Sequence, residues 1–168
     1  MTPADLLQDG FGRIVEGGAA VVADLSEDQL AHRISPDANS IGWLVWHLIR
    51  VQDAQVAEVA GTEQVWTAQG YAARFALGLD DSATGYGQTS AEVGRVRVGA
   101  AELTDYLHAT HAATLAYLDT VTEADLDRIV DTRWDPPVTL GVRLVSILDD
   151  DAKHLGQAEY LRGLGPTG

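Results

Sequence analysis

Five histidines, His32, His47, His108, His111 and His154, are the residues with which this chain could ligate a metal or carry a proton, because it contains no cysteine. Disulfides, thiolate ligands and cysteine nucleophiles are excluded, so a metal would have to be held by imidazole and carboxylate. The stretch DDDAKHLGQAEYLRG, residues 149 to 163, sets Asp150 four residues ahead of His154. On a helix that spacing puts both side chains on one face, where they can grip one ion. Asp151, three residues ahead, is the competing ligand, and Asp149 points elsewhere. The plain alternative is a solvated acidic face partly offset by Lys153. His47, in SIGWLVWHLIR, lies about 60° round a helix from Leu44, on the flank of an apolar stripe. Alone it reads as a core-edge histidine bonded to backbone or carboxylate, and His154 occupies the corresponding flank of its own helix.

His111 falls inside the apolar stripe of a third helix, close in angle to Leu107 and Leu118. It reads as a satisfied core histidine, with a pocket residue as the alternative. Asp105, Tyr106 and His108 read as surface. Trp66, Tyr71 and Phe75 sit in a long connection, where they could cover a metal mouth or simply pack. Gly156 costs a helix about 1 kcal/mol relative to alanine, so it could admit a neighbouring backbone or a ligand. Arg162 either anchors a cofactor anion or pairs with Glu159 three residues before it.

These side chains need long helices to hold them. Thr2 before Pro3 opens the first, which runs to about Leu25 with Leu6, Ile14 and Val21 on its apolar face. SEDQL, residues 26 to 30, opens a short helix that Pro36 ends. The second long helix starts after Asn39 or Ser40, carries Ile41, Leu44, Leu48 and Val51 at helical spacing, and stops at Gly61. Residues 62 to 89 then form a glycine-interrupted connection, longer than the roughly 15 residues beyond which connections are commonly functional loops or lids. Ser90 opens a third helix bearing Val96, Ala100, Leu103, Leu107 and Leu118, to about Thr120. TEADL, residues 122 to 126, echoes SEDQL, and Pro136 and Pro137 precede a fourth helix from about Thr139 to Leu164. The echo hints at two similar hairpins. Four amphipathic helices, no convincing strand and one long connection predict an all-α four-helix bundle with a crossover between the second and third helices, an interior that can hold metal sites.

The 168 residues suit one domain, residues 1 to 168, large enough to bury its own core. MTPADLLQDGFG has no basic flank followed by an apolar core, and no stretch reaches the roughly 18 apolar residues of a membrane span, so a soluble, cytoplasmic protein is expected. A net charge of -14, from 25 acidic and 11 basic residues, opposes phosphate backbones and anionic lipid. Nucleic-acid and membrane partners are therefore not expected. One lysine beside ten arginines suggests a GC-rich genome.

NSIGWLVWHLIRVQDAQVAEVAGTEQVW, residues 39 to 66, together with DDDAKHLGQAEYLRG, resembles the DinB-like superfamily, particularly members related to mycothiol-dependent enzymes such as the N-terminal domain of maleylpyruvate isomerase. The resemblance implies an up-down-down-up bundle holding a divalent metal with one histidine on the second helix and a pair four residues apart on the last. Trp43 to Leu48 match W-x-x-x-H-L, which puts His47 in the first role. His154, Gly156, Gln157, Leu161 and Arg162 match the final-helix pattern. Asp150 departs from it, standing where many members have histidine and the isomerase relatives glutamate. The implied ligands are His47, Asp150 and His154, with His111, Gln157 and Arg162 as candidate pocket residues. Such a set leaves open positions on zinc, the ion favoured, and also accepts nickel, iron or manganese.

The activity implied is thiol activation: a divalent metal stabilises the thiolate of a low-molecular-weight thiol, mycothiol in a GC-rich organism, for attack on a small-molecule electrophile. Isomerase relatives carry a further C-terminal domain with residues used in catalysis, whereas this sequence stops at Gly168, so an S-transferase is expected rather than an isomerase. The alternatives are a metal-binding DinB-like protein of other or no catalysis, such as a stress-related hydrolase or sensor, and a non-catalytic helical association module. Relatives often pair, which makes a homodimer a candidate assembly.

Overall fold

Hydroxyl side chains mark where most of the helices begin. The Thr2 hydroxyl accepts from the Asp5 amide at 3.1 Å while the Asp5 carboxylate accepts from the Thr2 amide at 2.7 Å, and Pro3 supplies a preset first turn. Ser26 with Gln29 and Thr89 with Glu92 repeat this reciprocal cap, and the Ser40 and Thr139 hydroxyls accept from Trp43 and Val142 amides. The computed structural model describes residues 1–165. Along the chain run α1 (Pro3–Val22), α2 (Glu27–Ala31), α3 (Ile41–Ala60), α4 (Val65–Ala68), α5 (Tyr71–Phe75), α6 (Ser90–Val93) and α7 (Ala100–Leu118). A short 3-10 turn, Glu123–Asp127, then leads through β1 (Ile129–Asp131) and β2 (Val138–Thr139) to α8 (Leu140–Gly163).

The four long helices α1, α3, α7 and α8 pack on one another, and named pairs give their directions. Along the α1–α7 contact, Gln8 bonds Asp119 at one end and Gly18 lies against Leu107 at the other, so these two run opposite ways. Gly10 against Leu148 and Gly17 against Leu155 show α1 and α8 running the same way. A Cβ at Gly10 or Gly17 would lie 2.7 or 2.6 Å from the facing leucine, so the missing side chains, seven residues apart, let this seam close. Arg143 pairs with Glu58 at 3.1 Å while His47 faces Asp150, which makes α3 and α8 antiparallel.

α3 is the central element. Every residue from Ile41 to Asp53 is buried, as expected of a helix apolar nearly all round. Trp46, Leu44, Leu48 and Ile49 join Leu103, Leu107 and Val22 in the larger core cluster, while Phe11, Val56, Leu118, Leu144 and Ile147 form a second at the other end. Fully burying side chains of this size stabilises by roughly 1.5–3 kcal/mol each. That surplus is what allows α3 to carry a charged pair inside: Arg50 and Asp53, 0% and 4% exposed.

The structure departs from the sequence reading in four places. The first helix stops at Val22, because Asp24 turns left-handed at φ 61°. The third is broken: α6 ends at Val93 and α7 starts only at Ala100. Between them RVRV alternates, with Val96 and Val98 buried and Arg95 and Arg97 exposed, the period of extended chain rather than helix. A two-stranded antiparallel ribbon, β1 with β2, flanks the Pro136–Pro137 turn where no strand was expected. Finally, Tyr106 is fully buried: its hydroxyl donates to Asp53 at 2.7 Å, and its ring packs on Trp66, Tyr71 and Phe75. Those three aromatics, 4.7 to 5.8 Å from Tyr106 between centroids, fill core on the flank of α3 instead of covering the histidines, since edge and offset ring packing is favourable on top of the area buried. Among the described residues no helix is long and apolar enough to cross a membrane.

Candidate metal centre

Where α3 crosses α8, three side chains converge. His47 comes from the middle of α3, Asp150 and His154 from successive turns of α8, and one donor atom of each lies within 4.8 Å of the others. His47 Nε2 is 3.8 Å from Asp150 Oδ2, and His154 Nε2 is 3.6 Å from Asp150 Oδ1. The ring centroids are 4.6 Å apart at 78°. Ligands about 2.1 Å from a shared tetrahedral ion would lie about 3.4 Å from each other, so small side-chain movements complete the grip.

Each imidazole is held from behind. The Thr84 carbonyl lies 2.5 Å from His47 Nδ1 and can only accept, so Nδ1 carries the hydrogen and the Nε2 lone pair faces Asp150. His154 Nδ1 is 2.9 Å from the Gln157 amide oxygen, which turns its Nε2 toward Asp150. Trp43 stacks on His47 at 4.6 Å and 14° and meets His154 edge-on. Gly85, at φ 101°, brings backbone against this stack: a Cβ there would lie 2.5 Å from His47 Nδ1 and 2.9 Å from the Trp43 ring.

The charges fit a cation. Burial above all, and the neighbouring His154, pull His47 below its ordinary pKa, so it is neutral and free to coordinate. The Asp150 carboxylate raises His154, and His154 in turn lowers Asp150. Asp150 Oδ2 is enclosed yet has no hydrogen-bond partner, an acceptor that a divalent ion would satisfy. Two imidazole nitrogens, of which His154 would give up its proton to a bound ion, and a carboxylate make a donor set suited to zinc, nickel, iron or manganese.

Other expected site residues lie elsewhere or act differently. Asp151 is fully buried with neither oxygen hydrogen-bonded, and burial drives its pKa well above the carboxylate range. Asp149 pairs with Lys153 on the surface. His111 is half-buried on α7, outside the three-residue group; its enclosed Nδ1 lacks a partner, so it is not the satisfied core histidine expected. Arg162 neither binds Glu159 nor faces the metal group. It donates to the Val21 and Ala23 carbonyls at 2.7 and 2.8 Å, capping the negative end of α1. Nothing lies within 4 Å of a Cβ at Gly156, which opens onto a cleft of about 520 Å³ shared with Leu44, Gln157 and Tyr160. The sequence reading missed Thr84, Gly85 and Gln88, although TGYGQT marks them as a glycine-rich segment.

The sequence profile of the DinB superfamily matches residues 19–158. The chain belongs to the DinB superfamily. This DinB protein is 34% identical to the crystal structure of a conserved protein from Enterococcus faecalis, with a TM-score of 0.90 over 96% of each chain. A DinB-like protein from Bacillus cereus ATCC 10987 shares the fold at a TM-score of 0.64 and 18% identity, over 96% of this chain and 92% of that one. No match was found among curated proteins.

Proposed function

We propose that this DinB protein is a divalent-metal enzyme, an S-transferase that uses a low-molecular-weight thiol of the mycothiol type, with His47, Asp150 and His154 as metal ligands. The reading takes the four long helices as an up-down-down-up bundle, the order in which the contact pairs above run. The observation that carries it is the convergence of three donor atoms, with both imidazoles tied off at Nδ1 so that both Nε2 atoms turn inward. Zinc is the ion favoured, as in other two-histidine, one-carboxylate zinc sites, and iron is the main competitor for the same donors.

A divalent cation there would supply the positive charge that favours thiolate over thiol at neutral pH. As ligands His47 and His154 would be neutral and add no charge, so the Asp150 carboxylate alone would offset the ion and leave net positive charge for an incoming sulfur. Trp43 covers the His47 face and keeps water from that side. The mostly apolar cleft bounded by Ile34, Leu44, Gln157 and Tyr160 adjoins the centre through Gln157, the partner of His154, and would offer room for the electrophile. Its carbon would accept the sulfur as the leaving group departs.

Metal analysis of protein purified without an affinity tag tests the site: a stoichiometric divalent ion is expected, and its loss in His47→Ala and His154→Ala. Mycothiol with a haloarene or bimane electrophile then tests transfer. Absence of metal from the wild type would defeat the proposal at its first step, and no rate above the metal-free control would defeat its second.

A further inference from the structure

Three residues on one face of α3 hold the same segment, residues 81–88: His47 and Arg50 through its backbone carbonyls and Trp43 through the Gln88 side chain. Arg50 Nε donates to the Ala83 carbonyl at 3.1 Å and Nη2 to the Asp81 carbonyl at 3.3 Å. One turn earlier His47 Nδ1 meets the Thr84 carbonyl, and one turn earlier still the Trp43 indole donates to Gln88 Oε1 at 2.8 Å. The segment thus runs antiparallel to α3 as a strap fastened at three points. Arg50 is itself fixed by Gln64 at 2.9 Å, Tyr106 at 3.2 Å and Asp53 at 3.5 Å.

We infer that this strap selects the histidine tautomer on which the centre depends, with Gly85 and Arg50 as positioning residues that act on His47 without touching a metal. Its consequence for metal affinity rests on the reading proposed above; its geometry does not. A carbonyl can only accept, so while the strap is seated the His47 hydrogen stays on Nδ1 and Nε2 stays bare toward Asp150. Arg50 sets the height of the Thr84 carbonyl by holding Asp81 and Ala83. Gly85 allows the backbone to lie against the ring, where any Cβ would strike Nδ1 at 2.5 Å. A displaced strap leaves the imidazole free to carry its hydrogen on Nε2, the form that cannot coordinate through that atom.

Gly87 supplies the control. It lies on the same strap at φ 71°, but nothing is within 4 Å of a Cβ there, so Gly87→Ala introduces left-handed backbone strain without reaching the ring. The experiment has two readouts on wild type, Gly85→Ala and Gly87→Ala. The first is the His47 tautomer in metal-free, [15N]histidine-labelled protein at pH 8, assigned with His47→Gln. The second is zinc affinity by competition with a chromophoric chelator. Wild type and Gly87→Ala should carry the hydrogen on Nδ1. Gly85→Ala should lose that preference and bind zinc about 10- to 100-fold more weakly, the usual cost of losing a group that orients a ligand. Should Gly85→Ala not fold, Gln88→Ala releases the far end of the strap and should weaken zinc about fivefold, the equivalent of one hydrogen bond. A wild-type His47 with its hydrogen on Nε2 overturns the inference, as does a folded Gly85→Ala with unchanged tautomer and affinity. Wild type that binds no zinc but keeps Nδ1–H, lost in Gly85→Ala, would instead sink the metal reading and leave the strap standing.

Discussion

Asp150 and Asp151 are chain neighbours in opposite surroundings: one faces two imidazoles with its side chain 38% exposed, the other is sealed in the core with no hydrogen bond. A rotation of about 100° per residue along α8 separates the centre from the bundle interior. The two carboxylates should therefore respond differently to the same substitution.

Asp150→Asn keeps the shape but removes the charge that a divalent ion needs, so zinc affinity should fall more than about tenfold. Asp151→Asn should leave zinc affinity within about threefold of wild type, less than the worth of one hydrogen bond. Chelator competition on both variants decides it; metal loss that follows Asp151 instead would reassign the ligand.

Stability against pH should expose Asp151. Its folded pKa is raised well above 3.8 by burial and by Asp150, so its contribution is fully present below 3.8 and is lost as pH rises toward the folded value. Over that window wild type should lose up to about 1.4 kcal/mol per pH unit relative to Asp151→Asn. Denaturant unfolding of metal-free protein between pH 4 and 8 measures this, and parallel profiles for the two proteins would refute it.

The two clustered histidines should titrate on opposite sides of the ordinary value of 6.5, His154 above it and His47 below it. In the folded protein His154 gains stability from protonation, present below 6.5 and lost as pH rises through its own higher value; His47 resists protonation and disfavours folding as pH falls below 6.5. Removing the carboxylate in Asp150→Asn should bring His154 down. Histidine NMR titration reads all three, and a His154 unmoved in Asp150→Asn would count against the pairing.

Arg50→Met should destabilise by about 3–5 kcal/mol, because it leaves the buried Asp53 carboxylate without its cation and drops the Asp81 and Ala83 carbonyls. Asp53 keeps two backbone amides, from Val65 and Trp66, and the Tyr106 hydroxyl, so folding should survive at a lower Tm. Calorimetry on the variant tests this; an unchanged Tm would mean the network is not under load.

Local chemistry determined much of this protein. Caps at Thr2 and Ser26, with helical spacing of apolar residues, were readable directly, because a cap and a stripe each involve residues within a turn or two, whereas the choice of Ser40 over Asn39, and of Thr89 over the Ser90 expected, was settled by the structure. The i, i+4 relation of Asp150 to His154 was readable for the same reason. The break after Val93 was written in the alternation of RVRV, which the helical pattern on either side obscured.

Other features were decided only by tertiary packing. Spacing leaves Asp150 and Asp151 equally near His154; the rotation of α8 against α1 and α3 sends one to the imidazoles and the other inward. The meeting of His47 with a pair some hundred residues away depends on where two antiparallel helices cross. Trp66, Tyr71 and Phe75 went to the core by packing on the Tyr106 ring, with the Trp66 amide and the Tyr106 hydroxyl both held by the buried Asp53 carboxylate. The covering of the histidines fell to Thr84 and Gly85, whose only qualifications are a backbone carbonyl and a missing Cβ, properties that a side-chain pattern cannot register.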